Sequence, residues 1–235
     1  MQKLAAYDKI LSMRMHKKSH LEERIAACAD IVTVADLNEK NMKISANIPD
    51  ILPLESIFGN ANPVHLEIGC GKGKFVCETA KLNTGINFIA VEKISNVLIE
   101  ALERTKEEGL RNVYYLNCAA EVLQRYFNEG AISRIYLNFS NPLPKEGYKK
   151  QRLTHPRFLN IYRTLLKEGG EIVQKTDDRD FYLFSLESFK EAGYEIVYTC
   201  EDLAANPVEG DVETEHERLF KDRGKPIFRI VAVRK

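Results

Sequence analysis

Two acidic residues and a run of glycines carry the first chemical signal in this chain. Glu67-Ile68-Gly69-Cys70-Gly71-Lys72-Gly73 joins an apolar segment at 64–68 to a helical pattern at 72–82. Glycines at such a turn let the backbone approach a nucleotide closely. A phosphate loop of the form Gly-x-x-x-x-Gly-Lys-Ser/Thr is absent, so ATP chemistry is not indicated. Glu67 stands two residues before Gly69, where a carboxylate repels a pyrophosphate and attracts an ammonium. Glu92 ends a second strand at 86–91, where an acidic side chain accepts bonds from both ribose hydroxyls. An adenosine with a cationic amino-acid tail satisfies both, and that ligand is S-adenosylmethionine. Its adenine is expected after the third strand, at Asn117-Cys118-Ala119-Ala120, read by backbone groups because Ala119 has no side-chain acceptor.

A second signal is Asn138-Phe139-Ser140-Asn141-Pro142-Leu143-Pro144-Lys145, which ends an apolar run at 132–137. A polar turn at the carboxyl end of a parallel strand is where open α/β sheets bind ligands. The two prolines restrict the backbone there and remove donors. Lys145, Lys149, Lys150, Arg152 and Arg157 follow; with Arg14, Lys17 and Lys18 they suit a phosphate backbone, and such binding weakens steeply with salt.

The elements that must position these groups follow from periodicity. Strands are expected at 64–68, 86–91, 113–116, 132–137, 171–175, 194–199 and 226–233. Helices are expected at 72–82, 96–108, 121–127, 156–167 and 178–192, several closed by glycine. The pattern predicts an α/β fold: a Rossmann-like, doubly wound, mostly parallel seven-stranded sheet with helices on both faces. One of the last two strands should be antiparallel, since no clear helix separates them. Residues 1–62 read as an N-terminal extension with a basic segment at Arg14–Lys18 and short helices at 20–29 and 51–58; residues 63–235 read as the catalytic domain.

Composition narrows the class. Of 235 residues, 34 are basic and 34 acidic, so nucleic-acid binding must rest on local patches rather than on net charge. No apolar run is long enough for a bilayer and no signal peptide is evident, which predicts a cytoplasmic protein. The five cysteines form no Cys-x-x-Cys pair, so reduced buried thiols and no metal are expected.

Several ordered motifs together resemble the bacterial tRNA (guanine-N7-)-methyltransferase family. They are Met13-Arg14-Met15-His16-Lys17-Lys18, Phe58-Gly59-Asn60 through Gly73, Tyr136-Leu137-Asn138-Phe139-Ser140, Arg152-Leu153-Thr154, Lys175-Thr176-Asp177, and Thr214-Glu215-His216-Glu217 with Phe220 and Gly224-Lys225-Pro226-Ile227. The resemblance implies the class I methyltransferase fold, S-adenosylmethionine as cofactor and tRNA as partner. The expected reaction is methylation of a variable-loop guanine at N7, by a monomer or a homodimer. It implies cofactor contacts at Glu67, Gly69, Gly71, Glu92, Asn117, Ala119, Ala120 and Asn141. Substrate contacts are implied at Lys145, Arg152, Asp177, Thr214, Glu215, His216 and Glu217, with Asn141 as the catalytic position. The chain departs from the family at four places, one of them the basic run after the loop, weakened to Glu146-Gly147-Tyr148-Lys149-Lys150-Gln151-Arg152. The usual Asp-Pro-Trp-Pro-Lys loop reads Asn141-Pro142-Leu143-Pro144-Lys145, the acidic residue near adenine is Ala119, and the tyrosine of the C-terminal motif is His216.

Guanine N7 carries a lone pair and no proton at neutral pH, so no general base is required and catalysis is mostly positioning. An amide at position 141 keeps one acceptor and loses the charge, which predicts weaker binding or slower turnover. Two other readings compete. An exocyclic-amine methyltransferase would use an Asn-Pro loop, but this loop lacks the stacking aromatic. A non-catalytic or retargeted RNA-binding relative would explain the lost acidic positions, but not the retention of Glu67, Glu92, Asp177, Thr214 and Glu217.

Overall fold

The computed structural model describes residues 17–35 and 48–235. Arg14 and the stretch 36–47 lie outside them. The elements are, in order, α1 (Leu21–Ala26), β1 (Val32–Val34), α2 (Leu54–Phe58), β2 (Val64–Ile68), α3 (Lys74–Leu82), β3 (Asn87–Val91), α4 (Ser95–Glu107) and β4 (Val113–Asn117). A 3-10 turn (Ala120–Arg125), β5 (Ile132–Asn138), a second 3-10 turn (Glu146–Gln151), α5 (Pro156–Leu165), β6 (Leu166–Thr176), α6 (Arg179–Glu191), β7 (Tyr194–Cys200), α7 (Glu215–Lys221) and β8 (Phe228–Arg234) complete the chain.

The strands form one sheet in the order β1-β4-β3-β2-β5-β6-β8-β7. All pairings are parallel except those of β8, which runs antiparallel to both β6 and β7. The central strands Val64–Ile68 and Asn87–Val91 are buried at every residue, as expected for parallel strands covered on both faces. On one face Leu66, Ile89, Ile135 and Ile172 pack with Phe158 and Leu159 of α5 and Phe189 of α6. On the other, Phe88 and Ala90 pack with Val76 of α3 and Leu98 and Leu102 of α4. From β2 the chain builds outward through β3 and β4, then returns to lay β5 on the opposite flank. This reversal opens a crevice at the carboxyl ends of β2 and β5, the place where such sheets bind ligands.

The sheet has eight strands, not seven. The additional one is β1, which pairs with β4 through Val32↔Tyr115 and Val34↔Asn117. It comes from the segment read as an extension. Ahead of it, α1 is tied to α4 by a bidentate contact, Arg24 to Glu103 at 2.7 Å for each bond. Three residues are too few for periodicity to reveal a strand.

Two further expectations are revised. The helix expected at 156–167 stops at Leu165, because Leu166 is already extended and paired with Ile132. Gly169 (φ +68°) and Gly170 then sit in an irregular stretch of β6 instead of capping the helix. Between β7 and β8, where no helix was evident, stands α7, started by a capping box: Thr214 Oγ1 accepts from Glu217 N–H at 3.0 Å, and Glu217 Oε2 from Thr214 N–H at 3.3 Å. At α5 and α6 the caps follow the sequence: His155 and Pro156 open α5, Asp178 caps α6, and Gly193 follows it. All five cysteines are buried free thiols. Among the described residues, no helix is long and apolar enough to cross a membrane.

Candidate active site

Glu67 is the penultimate residue of β2 and only 2% exposed. In register, it lies beside Ala90 of β3 and Tyr136 of β5. Asn138, two residues beyond Tyr136 and therefore on the same face, donates from Nδ2 to Glu67 Oε1 at 3.1 Å. Among the described residues Glu67 Oε2 has no hydrogen-bond partner, and neither do the buried Asn138 Oδ1 and Ser140 Oγ. Burial pushes the Glu67 carboxyl up to about 7; the Asn138 bond pulls it down and the Glu92 charge adds to the rise. An unsatisfied buried carboxylate is costly unless a cation reaches it.

The glycine turn lies next to this group. Gly69 and Cys70 donate N–H to Val91 O at 2.8 and 3.0 Å, binding the turn to the end of β3. Gly69 (φ +83°) and Gly71 (φ +57°) have open space where a side chain would project. Glu92 accepts from Gly71 N–H at 3.2 Å and from Ile94 N–H at 2.9 Å, one bond per oxygen. This leaves acceptor capacity on both oxygens for a diol. Asn117 lies deeper: its amide donates to Glu92 O at 2.7 Å and accepts from Ser95 Oγ at 2.7 Å. It thus orients the acidic turn from behind. Ala119 is extended and half-buried, and Ala120 starts the 3-10 turn. A buried anion with a free oxygen, a carboxylate at the next strand end and an open glycine turn together fit the ammonium, ribose and adenosine body of S-adenosylmethionine.

On the opposite side of the crevice, Phe139 takes φ +49° and Leu143 φ +45°, so the loop after β5 is sharply turned. Asn141 is exposed, and its Oδ1 accepts from Leu143 N–H at 3.1 Å. The amide oxygen shapes the loop, while Nδ2 stays available as a donor. Arg152, expected in a surface patch, is 7% exposed. Its guanidinium donates to Leu143 O at 3.2 Å and lies 4.4 Å from the centre of the Phe184 ring. It clamps the loop from beneath, a placement that depends on α6 and is invisible in local sequence. Arg157 pairs with Glu121 and Lys149 with Glu146. Lys145 and Lys150 are exposed and make no side-chain hydrogen bond or ion pair among the described residues.

The C-terminal motif borders the same loop. His216 stacks on Phe139, centroids 5.6 Å apart and 20° between planes, and Phe220 lies 5.9 Å from Phe139. Asp177, just beyond β6, faces Lys225 at 3.8 Å. Thr214 and Glu217 are buried and mutually bonded in the capping box, so they organise α7. Glu215 opens that helix. Asn138, Phe139, Ser140 and Lys175 lie in motifs that the sequence singles out, but it gives none of them a role of its own. For Asn138, the period-two spacing from buried Tyr136 was the available signal.

The chain matches a family model described as a putative methyltransferase over residues 61–230. A tRNA (guanine-N(7)-)-methyltransferase of Geobacillus sp. (strain WCH70) is 42% identical over 217 residues, covering 92% of this chain and 94% of that protein. Its counterpart in Bacillus subtilis (strain 168) is 39% identical, covering 92% and 97%. Among solved structures, the 16S rRNA methyltransferase KamB aligns with a TM-score of 0.57 at 14% identity, over 86% of this chain and 95% of that one. A SAM dependent methyltransferase from Aquifex aeolicus aligns with a TM-score of 0.52 at 11% identity, over 93% and 100%. The structural likenesses establish a shared fold.

Proposed function

Since the chain belongs to the tRNA (guanine-N(7)-)-methyltransferase family, and so transfers a methyl group from S-adenosylmethionine to guanine N7 in tRNA, we propose that the target guanine lies in the variable loop and enters the crevice between β2, β5 and β6. The observation that carries this placement is the buried Glu67 carboxylate, with one oxygen unpartnered among the described residues, beside the unpartnered Asn138 Oδ1 and Ser140 Oγ. When bound, S-adenosylmethionine supplies a methyl group activated by its sulfonium charge. In this reading Glu67 takes the ammonium, Glu92 the ribose hydroxyls, and Gly69, Gly71, Ala119 and Ala120 line the path of the adenosine, with Asn117 steadying Glu92.

The acceptor needs alignment rather than deprotonation, since N7 offers a lone pair at neutral pH. Asp177 is suited to accept from the N1–H and amino edge of guanine, and the Phe139–His216 stack gives a flat neighbour for the base. Asn141 Oδ1 keeps a second lone pair beside its bond from Leu143 N–H and serves as a neutral acceptor at the loop tip. Arg152 acts here by holding Leu143 rather than by touching phosphate. Lys145 and Lys150 remain as phosphate contacts.

The direct test is transfer of labelled methyl to unmodified tRNA with identification and mapping of the product nucleoside. 7-Methylguanosine in the variable loop is expected; a methylated exocyclic amine, or a different site, overturns the placement. Two variants refine it. Asn141→Asp keeps the turn, since a carboxylate also accepts from Leu143 N–H, and strengthens one contact by about 1 kcal/mol, the difference between charged and neutral bonds. The initial methylation rate should rise about fivefold; a fall would mean that the pocket is built around the amide. Lys145→Ala and Lys150→Ala should each weaken tRNA binding. Each should also flatten the slope of log K against the logarithm of salt concentration by about 0.7–0.9, the share of one neutralised phosphate. Filter-binding titrations read both effects.

A further inference from the structure

Lys175 is buried to 1% exposure, the penultimate residue of β6. Its ammonium meets three oxygens: Asp211 Oδ2 at 2.6 Å, Glu217 Oε2 at 2.9 Å and Val212 O at 3.0 Å. Two of these contacts are hydrogen bonds and the one to Asp211 is an ion pair, so two carboxylates neutralise the buried charge. The same residue's backbone carbonyl accepts from Phe139 N–H at 2.9 Å, the residue that turns β5 into the Asn141 loop. One lysine therefore joins the loop after β5, through its main chain, to the C-terminal motif, through its side chain.

The helix it anchors cannot place itself. α7 has seven residues, too few to be stable alone in water. Its own cap depends on Glu217 Oε2, the oxygen that Lys175 also holds. The remaining tie between α7 and the loop after β5 is the aromatic group of Phe139, His216 and Phe220. The charge arrangement is local to this region: Asp211 also faces Arg229 at 4.0 Å and Glu217 faces Lys221 at 3.4 Å. Among the described residues, none of these groups makes a hydrogen bond or ion pair with Glu67, Glu92 or the glycine turn.

We propose that Lys175 is a positioning residue for the tRNA half of the site. It fixes α7 and the 208–213 segment to the end of β6, and thereby sets the surface that receives the guanine, without contributing to the cofactor half. This rests on the reading given above, in which α7 borders the guanine. A buried lysine at a strand end is a liability unless partnered, and here both carboxylate partners come from the segment between β7 and β8.

The test compares wild type, Lys175→Met and Lys175→Met/Asp211→Asn. Each is measured for S-adenosylmethionine affinity by calorimetry, melting temperature, and kcat and KM for tRNA. Lys175→Met should lose about 100-fold in kcat/KM for tRNA, the effect of a displacement near 1 Å remote from the reacting atoms. Its cofactor affinity should stay within about threefold of wild type. The double variant removes one of the two carboxylates that lose their Lys175 partner. It should regain melting temperature but not the tRNA kinetics, and it carries the test if the single variant does not fold. The proposal is overturned if tRNA kinetics survive in a folded variant, if they recover together with melting temperature in the double variant, or if cofactor affinity falls in step with activity. A wild-type enzyme that binds the cofactor but forms no 7-methylguanosine would overturn the underlying reading itself.

Discussion

Glu67→Gln is expected to weaken S-adenosylmethionine binding about 100-fold, because truncating one side of a buried charged pair costs roughly 2–5 kcal/mol. Glutamine preserves the shape and an acceptor for Asn138 Nδ2, so the loss isolates the charge. The variant should not be a folding failure. In the free protein, burial raises the Glu67 carboxyl from 4.5 to about 7. A carboxyl whose folded value lies above its unfolded value binds more protons in the native state between those limits. Its contribution to stability is present below about pH 4.5 and is lost as pH rises to about 7. Glu67→Gln lacks that loss, so above pH 7 the ligand-free variant should melt no lower than wild type, and slightly higher if the glutamine amide finds Ser140. Cofactor binding to the wild type should release a proton below about pH 7, since the ammonium selects the anion. Calorimetry in two buffers of different ionisation enthalpy reads that proton. Unchanged affinity in Glu67→Gln would place the ammonium elsewhere.

Gly73→Ala is expected to lower stability by about 2–5 kcal/mol. The first contribution is backbone strain: Gly73 holds φ +76° as it caps α3, and an L-residue there costs about 1–2 kcal/mol. The second is overlap, with an added Cβ 2.6 Å from Ala101 Cβ and 3.0 Å from Ala101 Cα, worth about 1–3 kcal/mol more. Little can give way. Ala101 is fully buried in α4, and the nearby Tyr115 hydroxyl is bonded to Thr105 Oγ1 at 2.7 Å. For a chain of this size the melting temperature should fall by about 5–15 °C in scanning calorimetry. Gly71→Ala is the informative contrast. Its φ of +57° imposes similar strain, yet an added Cβ meets nothing within 4 Å, so its larger effect should be on cofactor affinity. If both variants lost stability equally, the close approach of α3 to α4 would be wrong.

The element boundaries show which signals are local. Val64–Ile68 and the cap of α5 at His155-Pro156 are legible because burial on both faces and a proline in the first turn leave marks within a few residues. β1 left no such mark, because its identity as a strand comes from an edge of β4 more than 80 positions away in sequence. The capping box at Thr214 and Glu217 has a local signature, but the length of α7 and its seat against β6 do not.

What the sequence determined by itself was the donor side of the site: a glycine turn framed by Glu67 and Glu92 at adjacent strand ends, and hence the class of ligand. These groups sit within one contiguous β-α-β stretch, where turn chemistry and strand period place them without reference to the rest of the chain. Tertiary structure alone decided which distant groups meet around the site. Glu67 finds Asn138 71 residues on, Arg152 turns inward beneath Leu143 against Phe184, and Lys175 reaches Glu217 42 residues on. Each of these is a buried charged or polar group whose place is set by the partner that compensates its desolvation, and no local pattern names a partner brought near only when the sheet has closed.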